Sequence, residues 1–393
     1  MTDPVVIASY ARTPMGGMQG VFSSVASPML GAAAVSAAVK RAGITGGDVE
    51  QIVMGCVLPA GLGQAPARQS AIHAGLGEHV TATTINKMCG SGMQAAIMAH
   101  DALLGGSADV IVAGGMESMT GAPYLLPKHR GGARLGHDVV KDSMFLDGLE
   151  DAYNPGKLMG AFAEEAAQEY QFTREAQDEY AIRSLSLARK AQESGAFARE
   201  IAPVTVKSRK GESVVEIDEQ PPKANPEKIP ALRPAFAKDG TVTAANSSSI
   251  SDGAAAMVMC RASTAEKLGM TPVARVVGHA SHAHEPARFT TAPVFATRKL
   301  MERIGWSMDD VDLFEVNEAF AVVALIAERD LGIDRDRLNV NGGACALGHP
   351  IGASGARIMT TLLGALETRK LKRGVASICI GGGEATAIAL ELL

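Results

Sequence analysis

A cysteine in a glycine-rich turn is the first residue of this sequence that could do covalent chemistry. Cys89 lies in the segment Asn-Lys-Met-Cys-Gly-Ser-Gly-Met (86–93), after an apolar run rich in β-branched residues and before a predicted helix. A strand–turn–helix placement would expose the thiol. The N-terminus of the following helix would favour the thiolate and could hold a developing oxyanion. The competing interpretation is an inert cysteine packed as a small hydrophobe.

A second glycine-rich segment contains a histidine that could serve this nucleophile. His349 lies in residues 341–355, which include five glycines and are followed by a predicted helix. An imidazole that titrates near neutral pH can take a proton from a thiol and return it. A structural histidine or a phosphate-binding loop remains an alternative, although the sequence has no GxxxxGK[ST] nucleotide loop.

Two further side chains follow predicted strands. Cys379 ends an apolar strand and precedes three glycines, so a second thiol could carry a proton to or from carbon in the same cleft. A buried strand cysteine is the alternative. Asn317 lies in Val-Asn-Glu-Ala-Phe (316–320) and could hold a water that donates to an oxyanion, or it could simply cap the next helix.

Alternating strands and helices are predicted to position these side chains. In the first stretch, to about residue 121, the predicted strands are 5–9, 51–57, 81–85 and 109–113. Helices between them indicate a largely parallel sheet covered on both faces. From about residue 272 the pattern repeats, with strands predicted at 274–280, 312–316 and 375–380. We therefore expect two similar α/β halves that bring Cys89 and His349 to corresponding turns of one cleft.

The stretch between the halves, about residues 122–250, is more polar and is interpreted as an inserted lid. Residues 161–193 predict a pair of helices, with Thr173 as the N-cap of the second. A hairpin is expected around Lys210-Gly211. Five prolines between positions 221 and 234 predict an extended loop.

Composition and charge exclude several classes of protein. A net charge of −5 argues against a nucleic-acid partner. No apolar run reaches the roughly 20 residues needed to span a bilayer, and the N-terminus has no signal-peptide pattern. Five cysteines without a CxxC pair predict free thiols in a cytoplasmic protein with no metal. Structural roles are assigned to three of them, Cys56, Cys260 and Cys345.

Taken together, these motifs resemble the thiolase family, and the resemblance covers the whole chain. The segments that carry it, in the family's order, are Asn-Lys-Met-Cys-Gly-Ser-Gly (86–92), Gly-Gly-Met-Glu-Ser-Met (114–119), Asn-Glu-Ala-Phe (317–320), Gly-His-Pro-Ile-Gly-Ala-Ser-Gly (348–355) and Cys-Ile-Gly-Gly-Gly (379–383). The resemblance implies a five-layered αβαβα fold. Its two repeated mixed-sheet halves would be residues 1–121 with 251–271 and residues 272–393, and a loop domain, residues 122–250, would cover coenzyme A.

The resemblance also implies a role for each catalytic residue. Cys89 would carry the acyl group as a thioester, His349 would activate it, and Cys379 would act as acid and base at the α-carbon. His349 and Asn317, the latter through a water, would form one oxyanion site. The backbone N–H groups of Cys89 and Gly381 would form the other. No metal or redox cofactor is implied.

The family pattern further implies which residues contact acyl-CoA and CoA, the expected partners. The positions that match its pantetheine tunnel are Leu149, Met159, Ala235, Phe236, Ala244, Ser248, Ala319 and Phe320. The sequence departs from the short-chain biosynthetic pattern at Leu158, where a histidine is expected, and at Phe289, where a methionine is expected. We therefore expect these two residues to tune the choice of acyl-chain length.

The activity that the resemblance implies is condensation of two acetyl-CoA molecules, or cleavage of 3-ketoacyl-CoA by CoA, in a homodimer or homotetramer. A degradative thiolase for longer chains is the nearest alternative. A decarboxylating ketoacyl synthase typically has a second histidine where Cys379 stands. A non-catalytic CoA- or lipid-binding relative would have no need of Cys89, His349 and Cys379. Oxidation of the two cleft thiols to a disulfide is a further hypothesis about regulation.

Overall fold

The computed structural model describes residues 3–208 and 211–393, and the element labels below refer to those residues. The strands are β1 Val5–Arg12, β2 Gly16–Gly17, β3 Gln51–Gly55, β4 Thr81–Ile85, β5 Val110–Ser118, β6 Tyr124–Leu125, β7 Lys141–Asp142, β8 Val204–Ser208, β9 Gly211–Val215, β10 Ser251–Arg261, β11 Ala274–Ala283, β12 Leu313–Val316, β13 Arg373–Ile380 and β14 Glu384–Leu392. The α-helices are α1 Ser27–Ala42, α2 Pro66–His73, α3 Ser91–Leu104, α4 Met159–Glu169, α5 Arg174–Glu193, α6 Gln220–Lys223, α7 Ala262–Lys267, α8 Ala292–Ile304, α9 Ala321–Leu331, α10 Ala344–Leu347 and α11 Ile351–Arg369.

The main sheet repeats one pairing pattern in its two halves. Its order is β12-β13-β14-β11-β1-β10-β5-β3-β4, and β2 pairs with β10. In the first half β3 runs parallel to β5, and β10 lies antiparallel between β5 and β1. In the second half β12 runs parallel to β13, and β14 lies antiparallel between β13 and β11. Two residues of β1 pair with β11 and join the halves. The expectation of two similar α/β halves is thus met.

The parallel pairing expected for the first stretch is found among β3, β4 and β5, but the sheet as a whole is not largely parallel. β10 forms antiparallel ladders with both β1 and β5, so the sheet is mixed. The physical reason lies in the chain order, because β10 follows the insertion and lies more than 100 residues beyond β5. A pattern drawn from residues 1–121 alone could not include it.

Two buried helices form the middle layer. α3 and α11 pack against each other and against strands of both halves, while α1 and α2 cover one outer face and α8 and α9 the other. Small residues permit the central contact: a Cβ at Gly355 would lie 2.4 Å from the backbone nitrogen of Met93, and one at Gly92 would lie 2.7 Å from that of Ala356. The two glycines therefore set how closely α3 and α11 approach.

The insertion confirms the predicted helical pair and corrects the predicted loop. α4 and α5 occupy the expected stretch, and the Thr173 hydroxyl accepts from the backbone N–H of Ala176 as an N-cap does. β8 and β9 form the expected hairpin, although Lys210 in its turn lies outside the described residues. The proline-rich stretch contains α6 and a 3-10 helix, Pro226–Ala231, because proline at the start of a helix has no N–H to lose.

Candidate active site

Cys89 lies in the turn between β4 and α3 with its side chain partly exposed. The preceding residue, Met88, has a positive φ of 45°, which is uncommon for a side chain of this kind. Removal from water raises the pKa of the Cys89 thiol to about 11, although the backbone N–H groups of Gly381 and of Cys89 itself act in the opposite direction. The expected thiolate is therefore wrong for the resting site, because desolvation outweighs the partial charge at the helix N-terminus. A base must take the proton when the thiol reacts.

His349 directly precedes Pro350, the N-cap of α11, and its hydrogen bonds fix its tautomer. The hydroxyl of Ser354 donates to the carbonyl of Pro350 at 2.9 Å and lies 2.5 Å from Nδ1 of His349. Because that hydroxyl has only one proton, Nδ1 must donate to it, which leaves the lone pair on Nε2. Nε2 is buried and has no hydrogen-bond partner among the described residues.

The charge state of His349 suits a base. Burial, with a smaller contribution from the Arg357 cation, lowers the pKa of the imidazole to about 3. The ring is therefore neutral at physiological pH, and its unprotonated Nε2 is available to accept a proton. This state makes His349 a candidate base for the protonated Cys89 thiol.

Cys379 is the penultimate residue of β13 and is fully buried. Desolvation, followed by the influence of Cys89, raises the pKa of its thiol well above the usual range. Cys89 therefore lies close enough to affect the ionisation of Cys379, which is protonated at rest. A proton held on sulfur in this position is suited to transfer to carbon.

Asn317 is also fully buried, directly after β12. Its backbone N–H donates to the carbonyl of Ser377 at 3.0 Å, which holds it beside the strand that ends near Cys379. Neither side-chain atom of Asn317 has a hydrogen-bond partner among the described residues. The helix-cap interpretation is wrong, because the N-cap of α9 is Phe320. The amide is therefore free of protein partners among the described residues.

A cavity of about 360 Å³ opens over Cys89, His349 and Gly381. All eight predicted CoA-contacting residues line it, together with Leu158 and Phe289. The residues that the sequence analysis missed are Phe145, Gly148, Gly160, Ser247, Ser249, Ile250 and Ile351. Cys379 and Asn317, both fully buried, are absent from the described lining. A larger surface cleft beside α4, about 670 Å³, contains none of the four candidate catalytic residues in its described lining.

Comparison with known proteins agrees with this geometry. The thiolase N-terminal domain matches residues 5–263, and the thiolase C-terminal domain matches residues 270–392. The chain belongs to the thiolase family. This membership confirms the resemblance carried by the motifs and the prediction of an acyltransferase with a five-layered α/β fold.

Several thiolases resemble this one over their full length. It is 48% identical to the acetyl-CoA acetyltransferase of Cupriavidus necator, with all of both chains covered. It is 49% identical to acetyl-CoA acetyltransferase 2 of Arabidopsis thaliana, with 99% of this chain and 97% of the relative covered. The crystal structure of the Bacillus anthracis acetyl-CoA acetyltransferase superposes with a TM-score of 0.97 at 41% identity, covering 100% of this chain and 99% of that one.

A buried carboxylate, Glu117, holds the loops of this thiolase site together. It accepts from the backbone N–H groups of Val57 and Gly352 at 2.9 Å and of Leu58 at 3.2 Å. Burial raises its pKa to about 7 in spite of these donors. Glu117 thus links the end of β3 to the start of α11, next to His349. The motif that contains it was recognised in the sequence, but no role was assigned to this residue.

Glu318 links the insertion to the Asn317 segment. Its carboxylate accepts from Tyr180 at 3.0 Å, from Ser184 at 2.7 Å and from Asn339 at 2.9 Å. The backbone N–H of Cys345 donates to it at 3.1 Å. Because Tyr180 and Ser184 belong to α5, these hydrogen bonds tie the insertion to the second half. A carboxylate after an apolar strand was the only signal for it in the sequence.

The helices of this thiolase give no sign of a transmembrane segment. In residues 3–208 and 211–393, no helix is both long enough and apolar enough to cross a membrane.

Proposed function

We propose that this thiolase transfers an acetyl group between coenzyme A thioesters, condensing two acetyl-CoA molecules or, in reverse, cleaving 3-ketoacyl-CoA with CoA. One observation carries the proposal: a single apolar cavity is lined by Cys89, by His349 and by Gly381. The full-length relatives in Cupriavidus necator and Arabidopsis thaliana are named for acetyl transfer, which supports this substrate.

The first half of the reaction forms an acyl-enzyme. His349 Nε2 accepts the Cys89 proton as sulfur attacks the thioester carbonyl, and the carbonyl oxygen becomes negative. We assign the backbone N–H groups of Cys89 and Gly381 to that oxygen, since both already face the sulfur. The C–S bond to CoA then breaks, and the leaving thiolate takes the proton from His349. Covalent catalysis divides one difficult step into two.

The second half forms the carbon–carbon bond. Cys379 first gives its own proton to Nε2 of His349, and the resulting thiolate removes an α-proton from a second acetyl-CoA. The enolate attacks the acetyl group on Cys89, whose thiolate leaves and takes the proton from His349. We assign the enolate oxygen to His349 and to a water held by Asn317, whose side-chain atoms have no partner among the described residues. In thiolysis the same steps run backwards and Cys379 protonates the enolate. Because every step is an acyl or proton transfer, the reaction requires no metal or redox cofactor.

Thiolysis assays with defined variants test the proposal. We expect Cys89→Ala to abolish CoA-dependent cleavage of acetoacetyl-CoA, whereas Cys260→Ala, a buried thiol of β10 outside the cavity, should retain activity. Mass spectrometry should find acetyl on Cys89 after incubation with acetyl-CoA. Full activity of Cys89→Ala, or acetylation elsewhere, would contradict the mechanism.

A second candidate function, thiolysis of longer acyl chains, also has support. Phe289 is 3% exposed and meets Phe320 edge to face, with ring centroids 6.3 Å apart, so aromatic rings form part of the cavity wall. With Leu158, it departs from the short-chain pattern, which favours the alternative of a thiolase for longer substrates. The test is thiolysis of 3-ketoacyl-CoA substrates of increasing length. Activity that peaks at the four-carbon substrate supports acetyl transfer, and a peak at longer chains supports the degradative alternative.

We also propose a cytoplasmic homodimer or a tetramer built from dimers. The five cysteines are free thiols, as expected in a reducing compartment. β4 ends the main sheet, and Thr81 and Thr83 are exposed along it, so a second copy could extend the sheet there. Light scattering should give a dimeric or tetrameric mass that Thr83→Lys lowers, while Val214→Lys, on the exposed hairpin strand β9, leaves it unchanged. A monomeric wild type would refute the assembly.

A further inference from the structure

Two imidazoles and a carboxylate converge outside the active site. His100 and Asp101 lie near the end of α3, and His279 lies in β11 of the second half. Nδ1 of His100 lies 2.9 Å from Oδ1 of Asp101, and Nε2 of His279 lies 3.0 Å from that same oxygen. The three potential ligand atoms are all within 4.8 Å of one another. The acyl-transfer mechanism uses none of them.

The spacing of these atoms is close to that of a tetrahedral metal site. Zinc bonded to nitrogen and oxygen at about 2.0–2.1 Å holds its ligand atoms roughly 3.3 Å apart. The distances from the Asp101 oxygen to the two imidazole nitrogens would need to lengthen by only a few tenths of an ångström. The imidazole rings are also nearly perpendicular, at 84° with centroids 5.1 Å apart, so they approach the oxygen from different directions.

Burial and charge suit metal binding as well. The side chains of His100 and His279 are 12% and 18% exposed, whereas that of Asp101 is 58% exposed. The imidazoles are therefore held by the surrounding protein, and one side stays open for entry of an ion and a fourth ligand. Desolvation lowers the pKa of His100. Desolvation opposes ionisation of Asp101, but hydrogen bonds from both imidazoles lower its pKa. A neutral imidazole and a carboxylate are the forms that bind metal.

We propose that His100, Asp101 and His279 bind a divalent transition-metal ion of the zinc class, through Nδ1, Oδ1 and Nε2 respectively. Two imidazoles and one carboxylate form a donor set that zinc and cobalt accept, with a fourth position for water. When the ion binds, each neutral imidazole carries its proton on the other ring nitrogen, so that the nitrogen facing the ion offers a lone pair. The sequence analysis predicted no metal because it looked for paired cysteines, and this site contains none.

The ion would stabilise the fold and would take no part in acyl transfer. His100 lies eleven positions after Cys89, with most of the intervening residues in α3, which places the cluster roughly 16 Å away along the helix axis. A bound ion would join α3, the helix that follows the nucleophile, to a strand of the other half. Because the ion binds only the folded arrangement, it would raise the melting temperature of the full chain.

Metal titration of the chelator-treated full-length protein tests the site. We expect one equivalent of Zn²⁺ or Co²⁺ to bind in calorimetry, with a rise in melting temperature. Bound Co²⁺ should show visible d–d bands of a nitrogen–oxygen site without the near-ultraviolet charge-transfer band of a thiolate ligand. That spectrum distinguishes this cluster from binding at Cys89 or Cys379, and none of these readouts depends on enzyme activity.

Variants assign the ligands. His279→Ala and Asp101→Asn should each weaken binding by at least about 100-fold, the upper end of what is lost when a residue that only orients a metal ligand is removed. The matched control is His282→Ala, three residues along the same strand, whose Nε2 lies 3.4 Å from Nδ1 of His284. This control should bind the ion as tightly as the wild type does. For every variant, retained thiolysis and an unchanged circular dichroism spectrum would show that the protein is folded.

Three outcomes would overturn the proposal. Absence of saturable binding by the wild type would mean that the cluster is held by hydrogen bonds alone. Loss of binding in His282→Ala but not in His279→Ala would move the ion to the His282–His284 pair. A thiolate charge-transfer band would place it in the active site. None of these results bears on the proposed acyl transfer, which the thiolysis assay tests separately.

Discussion

Ser354 determines which ring nitrogen of His349 carries the lone pair, although Ser354 lies outside the described lining of the cavity. The Ser354 hydroxyl is committed to the Pro350 carbonyl, so it can only accept from Nδ1, and Nε2 is the nitrogen left to act as base. Cys89 has the complementary state, a thiol that desolvation keeps protonated. At the residue scale, the site consists of a neutral acid and a neutral base, without a resting thiolate–imidazolium pair.

Removing the Ser354 hydroxyl should therefore impair catalysis. In Ser354→Ala, Nδ1–H loses its acceptor in a buried site, a cost of about 1–3 kcal/mol, and the ring can rotate or change tautomer. We expect kcat for thiolysis to fall roughly 10- to 100-fold with little change in KM for CoA. Ser354→Thr, which keeps the hydroxyl, should recover most of the activity. A purely structural role would instead lower the melting temperature of Ser354→Ala and leave kcat intact.

The ionisation of Cys89 predicts how alkylation depends on pH. With a pKa of about 11 for the thiol, the thiolate fraction grows roughly tenfold for each pH unit between 7 and 10. Because His349 titrates near pH 3, it adds no second transition in this range. The rate of iodoacetamide labelling at Cys89, followed by mass spectrometry, should rise without a plateau up to pH 9.5. A plateau below pH 8 would indicate a thiolate–imidazolium pair.

At the scale of elements, the contact between α3 and α11 fixes the position of the proposed nucleophile relative to the proposed base. Cys89 precedes α3, His349 precedes α11, and the two helices cross where Gly92 and Gly355 leave no room for a Cβ. The two glycines allow the helices to pack closely and thereby set the distance between the reactive groups. This close packing explains why glycine occurs at these positions in the motifs.

Alanine at Gly355 should disturb both stability and activity. Its Cβ would lie 2.4 Å from the backbone nitrogen of Met93, so the helices must separate. We expect a loss of about 2–3 kcal/mol in the free energy of unfolding and a fall in kcat. Gly364→Ala is the matched control in the same helix, since its Cβ would meet nothing nearer than 3.5 Å. There the gain in helix propensity should stabilise by about 0.5–1 kcal/mol. Urea denaturation and thiolysis assays compare the two.

Sequence reasoning reached the catalytic motifs because each lies at a turn with short-range signals, a glycine run after an apolar strand. It missed Glu117 and Glu318, since a carboxylate inside an apolar segment reveals its partners only once the chain has folded. It also predicted the wrong ionisation for Cys89, because desolvation depends on distant segments that cover the thiol. Local pattern did not predict the strand β10 either, and only the family resemblance assigned its residues to the first half, because strand pairing is set by tertiary structure.

At the scale of the whole molecule, buried Glu117 joins two parts of the fold and also affects stability. Its pKa is about 7, against an ordinary value of 4.5, so the folded state holds a proton that the unfolded state has released. The sign follows from linkage: its contribution to stability is complete below pH 4.5 and declines as pH rises to about 7. Across this window the loss is at most roughly 3 kcal/mol.

Glu117→Gln should remove this pH dependence. We expect the free energy of unfolding of the variant to vary less between pH 4.5 and 7 than that of the wild type, because the amide does not titrate. At pH 7 the variant should also be less stable by about 1–3 kcal/mol, because its NH₂ group faces backbone donors. Glu212→Gln, on the exposed hairpin, is the control and should leave both quantities unchanged. Parallel pH profiles for Glu117→Gln and wild type would contradict the assignment.

The place of β10 between β1 and β5 has a consequence for biosynthesis. The ribosome must add roughly 130 residues after β5 before it produces the strand that fills this gap. At about 5–20 residues per second, that takes on the order of 7–26 s. During this time the nascent chain exposes two unsatisfied strand edges, so this interval of translation is when the polypeptide most needs a chaperone.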